Sequence, residues 1–345
     1  MDKILSHSAV FLGKDGNTFG PNPPILPSHK QRTGWISEEK DDMDPLLSEG
    51  PVAVIGAGAI GLSLASALAR AGRSITVCGG RQPVDRIEIT EDGVPEAWPV
   101  RHVTDPADIA GHTTAIVAVK ARCTATAAHW LRALAHPGTT VLVAQNGVEQ
   151  RERVLPYVGS ARVVPGVVYL NVERTAPGRA ILRRVGALDL ALPADAASVA
   201  LAAELNAGGM RISSEADLKT VAWAKLLTNI TANPLTALTG RRAEVMRDPG
   251  IERIARRIMT EAVEVGRADG AALTGDHVEH AVHWLQNVPE GSTTSMREDR
   301  LAGRTLESDA LTGAVVRAAE RHGIDVPANR FVLALLNAME SEVAA

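Results

Sequence analysis

A glycine turn set between a short apolar run and a stretch of small residues constrains this 345-residue chain more than any other feature. Val52-Ala53-Val54-Ile55 suits a parallel strand buried on both faces. Gly56-Ala57-Gly58-Ala59-Ile60-Gly61 follows at once, then a small-residue helix over 62–71 ended by Gly72, then a strand over 74–78. Strand, glycine turn, helix, strand is the context in which a GxGxxG spacing points to a dinucleotide site. Gly56 permits the tight turn, Gly58 lets a pyrophosphate approach the backbone, and Gly61 lets helix and strand pack closely. Ala57, Ala59 and Ile60 complete a loop whose helix N-terminus offers free N–H groups to phosphate.

The end of the second strand bears on which nucleotide binds. Sites for NAD place an Asp or Glu there to hold the ribose 2′-OH. Here the chain reads Val77-Cys78-Gly79-Gly80-Arg81, with no acid. Arg81 stands where a guanidinium can pair with a 2′-phosphate through charge-assisted hydrogen bonds. The expected cofactor is therefore NADP(H) rather than NAD or FAD.

Further strand-like runs follow. Runs over 86–90 and 100–103 flank Glu91-Asp92-Gly93 and suggest a hairpin. The run over 114–119 ends in Lys120, a helix is expected over 125–135, and the run over 141–144 ends in Gln145-Asn146-Gly147. Ligands bind at the carboxyl ends of strands in open α/β sheets. Lys120 is thereby a candidate for phosphate or ribose, and Asn146 for nicotinamide or substrate. Strands over 161–168, 180–185, 188–191 and 211–213 and a helix over 196–207 complete this part. From Glu215 onward the pattern is helical, with Asp248-Pro249 opening one helix and Gly270 closing it. The expected fold is α/β: a Rossmann-type dinucleotide-binding domain over 51–214 and an all-helical domain over 215–345. A small substrate would sit in the cleft between them.

Lys225, Asn229 and Asn233 are spaced by four on one helix face that continues into Leu226, Leu227 and Ile230. Asn is a poor helix-interior residue, so two of them beside a lysine suggest a task beyond helix formation. A lysine among amides can protonate a carbonyl oxygen or stabilise a developing alkoxide. Ser292-Thr293-Thr294-Ser295, Asp299, Arg304 and Glu307 follow later. By spacing alone they read mostly as capping and salt-bridge chemistry. His277, His280 and His283 step round a helix by threes and are not expected to share a metal. Cys78 reads as packing, and Cys123 has no adjacent base.

Composition sets the outer limits. Net charge is −4, with no basic stripe to suggest nucleic acid or an anionic membrane. Two cysteines suit a reducing compartment, and a cytoplasmic location is expected. Residues 1–50 carry five Pro and an excess of acids, without helical or strand period. They read as a disordered extension, with Met43 as an alternative start.

These motifs together resemble the ketopantoate reductases. The resemblance runs from about Val52 to Arg330. It rests on the glycine motif, Val119-Lys120-Ala121, Gln145-Asn146-Gly147, the Trp-x-Lys-Leu-x-x-Asn-x-x-x-Asn-Pro pattern from Trp223, Thr294-Ser295-Met296 with Asp299, and Gly303-Arg304 with Glu307 and Asp309. It implies a helical domain like the C-terminal domain of 6-phosphogluconate dehydrogenase. It also implies NADPH-dependent reduction of 2-dehydropantoate to (R)-pantoate, a step of pantothenate biosynthesis. By matching motif, Lys225 would donate the proton and Glu307 would complete the catalytic pair and touch cofactor or substrate. Asn146, Asn229, Asn233 and Ser295 would hold the 2-oxo acid, with Lys120 and Arg81 on the cofactor. A homodimer is compatible with this reading. Departures lie at Arg241-Arg242-Ala243 and Thr305-Leu306, which bear on the substrate.

Three alternatives stay open: reduction of another 2-oxo acid, a β-hydroxyacid dehydrogenase, and an NADP-binding sensor without turnover. One comparison tests the cofactor directly. Arg81→Ala is expected to lower a preference for NADPH over NADH in kcat/KM; an unchanged preference would refute the role given to Arg81.

Overall fold

The computed structural model describes residues 50–80, 82–184 and 186–343, with side chains through Glu340. The expected extension, its alternative start at Met43, and Arg81 lie outside the described residues.

The first half begins with β1 (Val52–Ile55), α1 (Ala59–Arg70) and β2 (Ile75–Cys78). Both strands are buried along their whole length, as their apolar residues dictate. Next come β3 (Arg86–Glu91), β4 (Val94–Pro99), β5 (Arg101–Val103), β6 (Thr114–Val117), α2 (Ala128–Ala133), β7 (Thr140–Val143), α3 (Gln150–Val154) and β8 (Arg162–Pro165). Six strands form one parallel sheet in the order β5-β2-β1-β6-β7-β8. The order reverses at β1, so the carboxyl ends of β1 and β6 flank the switch point where such sheets bind ligands.

Two smaller sheets are built on this one. The chain continues with β9 (Val167–Val168), β10 (Asn171–Ala176), β11 (Arg179–Arg183), β12 (Leu190–Pro193), α4 (Ala196–Ala207) and β13 (Ile212–Glu215). A four-stranded sheet runs β10-β11-β3-β4, and a three-stranded one β13-β12-β9. The expected hairpin exists, but its second strand is 94–99 rather than 100–103. Asp92 (φ 49°) and Gly93 (φ 81°) are both left-handed, the requirement of a tight two-residue turn. The strand so closed carries Pro95 and Pro99 and reads poorly as a strand; it is tolerated because it lies at the sheet edge. Residues 101–103 instead pair with β2 at the edge of the main sheet. The run expected over 161–168 is divided at Gly166 between two sheets.

The remainder is helical: α5 (Leu218–Thr239), α6 (Pro249–Ala268), α7 (Gly275–Gln286), α8 (Ser295–Leu301), α9 (Ala314–His322) and α10 (Pro327–Val343). A single apolar core joins them, with Trp223, Leu226, Leu227 and Ile230 of α5 against Ile258, Met259 and Ala262 of α6. Asp248 caps α6 through the amides of Gly250 and Ile251, with Pro249 as the first helical residue, as the sequence predicts. Among the described residues no helix is long and apolar enough to cross a membrane. His277 is engaged with Thr274 in capping α7.

The glycine turn is held by sterics. A Cβ on Gly61 would lie 2.0 Å from the Gly56 carbonyl oxygen, and one on Gly56 would lie 2.5 Å from the Val119 nitrogen. Both obstacles are backbone, so nothing flexible can yield. Gly61→Ala is expected to cost about 1–3 kcal/mol, the range for overpacking. Thermal unfolding should show a lower Tm; an unchanged Tm would contradict this packing.

Candidate active site

The site is built around α5, a 22-residue helix that crosses from one half of the molecule to the other. Asp217 caps it through the Thr220 amide, and left-handed Gly240 ends it. Its first turns pack Leu218, Val221 and Ala222 on Val167, Tyr169 and Ala191 of the first half. Its later turns are buried in the helical core. Pro234 lies within the helix and lacks the amide hydrogen that would serve the preceding turn. Thr231, Thr236 and Thr239 return their hydroxyls to carbonyls one turn back, at Leu227, Ala232 and Leu235.

Lys225 emerges where α5 leaves the first half. Its Nζ lies 4.9 Å from the centroid of the Tyr169 ring, and it has no carboxylate partner among the described residues. Burial pushes the ammonium down to about 7. The ring face favours the cation and partly offsets that loss. Lys225 lines a small pocket with Gln145, Asn146, Gly147 and Asn229. Asn229 is 8% exposed, yet its amide has no hydrogen-bond partner among the described residues, so its bonding capacity faces the pocket. Gln145 donates to the Val119 carbonyl and the Thr124 hydroxyl, and its Oε1 is buried without a partner. Unsatisfied amide groups beside a desolvated lysine suit a polar ligand that supplies the missing bonds.

Glu307 is tied to the pocket through Asn146. Its carboxylate accepts from Lys120 Nζ at 3.0 Å, the Ala121 amide at 3.2 Å and Asn146 Nδ2 at 3.3 Å. Lys120 also reaches Asp299 at 3.2 Å, and Arg304 holds the other oxygen of Asp299. Burial pushes Lys120 down, but Glu307 and Asp299 outweigh it and hold the ammonium above its ordinary value. Two lysines thus stand in opposite electrostatic environments: Lys120 is locked as a cation, while Lys225 is poised to exchange its proton near neutrality. Such divergence separates an anchoring charge from an acid–base group.

The structure therefore brings Lys225, Asn229 and Asn146 into one pocket and ties Glu307 to it through Asn146. It forms no hydrogen bond between Lys225 and Glu307, the expected pair. Asn233 and Ser295 bond to one another instead. Asn233 Oδ1 accepts from Ser295 Oγ at 3.2 Å and the Met296 amide at 3.3 Å, which fastens the start of α8 to α5. Thr236 and Thr294 reinforce that joint at 2.6 Å. Nothing local in the sequence marks Tyr169, because its contact with Lys225 exists only through α5. Asp299 read as ordinary ion-pair chemistry, and its link to Lys120 spans the two halves.

The seam between the halves is close and polar. Gly147 (φ 96°) sits where a Cβ would lie 2.3 Å from the Ala310 carbonyl oxygen. Ala310 belongs to a π-helical turn, Asp309–Gly313, directly after Glu307 and Ser308. Such turns are frequent at functional sites because they re-aim the adjoining residues. Arg153 donates to the Asn146 carbonyl at 2.8 Å, and Arg317 of α9 reaches Glu149 at 2.6 Å.

A second cavity, of about 600 Å³, opens at the glycine turn, lined by Gly56, Ala57, Gly58, Gly79, Gly80 and Gln82 among others. Gly58 precedes α1 with no side chain capping the helix, and a Cβ there would meet nothing within 4 Å. The crowded Gly56 and Gly61 keep the turn tight, while the open Gly58 leaves room for phosphate. These residues fit a dinucleotide.

The family model described as Ketopantoate reductase PanE/ApbA matches residues 52–194, and that for its C-terminal domain matches residues 217–340. A 2-dehydropantoate 2-reductase of Mycobacterium tuberculosis is 37% identical over 289 residues, spanning 83% of this chain and 97% of that protein. The 2-dehydropantoate 2-reductase of Caulobacter vibrioides is 38% identical over 292 residues, with 83% and 98% spanned. Among solved structures, a PanE/ApbA family ketopantoate reductase from Ralstonia eutropha superposes with a TM-score of 0.78 at 30% identity, over 86% of this chain and all of that one (100%). The parallel-sheet half and the helical half agree with these matches, and the chain belongs to the ketopantoate reductase PanE/ApbA family of dinucleotide-dependent oxidoreductases.

Proposed function

We propose that this chain reduces 2-dehydropantoate to (R)-pantoate with NADPH, and that Lys225 supplies the proton. The observation that carries this reading is the Lys225 ammonium, set on the Tyr169 ring in a pocket shared with Asn229 and Asn146. The dinucleotide, held by Gly56, Gly58 and the start of α1, would supply hydride to the C2 carbonyl when bound. The chain provides the remaining chemistry. Protonated Lys225 donates to the C2 oxygen as negative charge gathers on it. The Asn229 and Asn146 amides orient the 2-oxo acid and replace bonds it loses on leaving water. Glu307 keeps Lys120 and Asn146 in place, so the wall facing Lys225 is rigid before substrate arrives. Asn233 and Ser295 join α8 to α5 and so brace the helix that carries Lys225 and Asn229. The preference for NADPH rests on Arg81 and on the missing acid after β2.

Two measurements test this function. Lys225→Ala should lower kcat for 2-dehydropantoate by about 10²- to 10⁴-fold while leaving NADPH affinity close to wild type. A loss confined to cofactor affinity would remove the proton-donor role. A panel of other 2-oxo acids, followed by NADPH absorbance, separates ketopantoate reduction from its same-class rivals.

The pH profile follows from the depressed Lys225 ionisation. The acid form disappears as pH rises through about 7, so kcat/KM for reduction should fall above that value, and the reverse oxidation should rise. The same shift acts on stability. Between about 7 and the ordinary 10.5 the unfolded chain binds a proton the native chain lacks, so this group's contribution to stability should grow with pH across that window. A kcat/KM profile flat from pH 6 to 9 (on the order of the reference range around this group) would contradict the assignment.

A further inference from the structure

The cavity at the glycine turn receives one side chain from the four-stranded sheet that holds β10. Arg174, on β10, lines it together with Gly79, Gly80 and Gln82, the residues around the end of β2. We infer that Arg174 is a specificity-determining residue that binds the 2′-phosphate of NADP(H). The inference deepens the NADPH reading given above and rests on it.

The charge balance of the sheet supports this assignment. Of the three arginines on β10 and β11, Arg179 pairs with Glu88 at 3.8 Å and Arg183 with Glu173 at 2.8 Å. Arg174 has no carboxylate partner among the described residues. Its Nε donates to the Ala176 carbonyl of its own strand at 3.3 Å, which steadies the guanidinium and leaves its terminal nitrogens unengaged. The chemistry of the cavity agrees. Among the described residues lining it there is no Asp or Glu to accept from a free ribose diol, and Arg174 is the only Lys or Arg. A guanidinium presents paired donors that match a phosphate, and a phosphate beside it is recognised through charge as well as geometry. Arg174 thus meets the nucleotide from the four-stranded mixed sheet, on a strand far in sequence from the turn after β2.

The test compares kcat/KM for NADPH and NADH in the full chain and in Arg174→Met, which keeps most of the apolar stem. The ratio of NADPH to NADH efficiency should fall by about tenfold, the scale of one charge-assisted hydrogen bond in a partly exposed site. Arg174→Lys should recover part of that ratio. Competitive inhibition by 2′-phosphorylated ADP should weaken in Arg174→Met, with inhibition by ADP weakened far less. An unchanged ratio, or equal losses for both dinucleotides, would overturn the assignment of Arg174 while leaving the NADPH reading in force. A wild-type chain with no preference for NADPH would overturn both.

Discussion

A half-buried lysine ammonium with no counter-charge among the described residues is the constraint around which this molecule is arranged. Lys225 faces an aromatic ring and uncharged amides, and desolvation lowers its hold on the proton. That condition needs both halves of the chain. Tyr169, Gln145 and Asn146 come from the first half, whereas Lys225 and Asn229 ride on the helix that opens the second. Any substantial opening of the seam would rehydrate the ammonium and return it toward the ordinary lysine range. The close approach of Gly147 to Ala310 and the Glu149–Arg317 contact therefore bear on chemistry as well as on stability.

The second lysine shows why the charges are divided as they are. Lys120 is flanked by Glu307 and Asp299 and serves as a fixed cation that joins the strand β6 turn to the segment before the π-helical turn. Had a carboxylate been placed on Lys225 as well, its proton would be held too tightly to leave near neutral pH. Glu307 spends its bonding capacity on Lys120, Ala121 and Asn146, so it shapes the pocket without charging Lys225.

Much of this was legible in the sequence, and the limits have physical causes. The glycine turn and the buried runs beside it are local features, and they gave the parallel sheet and the cofactor end of the site. The four-residue spacing of Lys225, Asn229 and Asn233 marks the helix that lines the pocket. It could not say where the shared face ends. Each step of four advances about 40° beyond a full turn, so over two steps the face rotates by about 80°. Lys225 and Asn229 consequently line the pocket, while Asn233 turns toward α8 and meets Ser295. Tyr169 and Asp299 act through partners distant in sequence, and no local spacing reveals such pairs. The second strand of the hairpin is not legible, because Pro95 and Pro99 disguise an edge strand.

The most direct test is to observe the Lys225 nitrogen itself. Nitrogen-detected NMR titration of the full chain labelled at lysine, with Lys225→Arg to assign the resonance, reads its ionisation without relying on turnover. An apparent pKa of about 7 is expected for the free protein. A titration near the ordinary value of 10.5 would show a hydrated or ion-paired ammonium and contradict the site described for it.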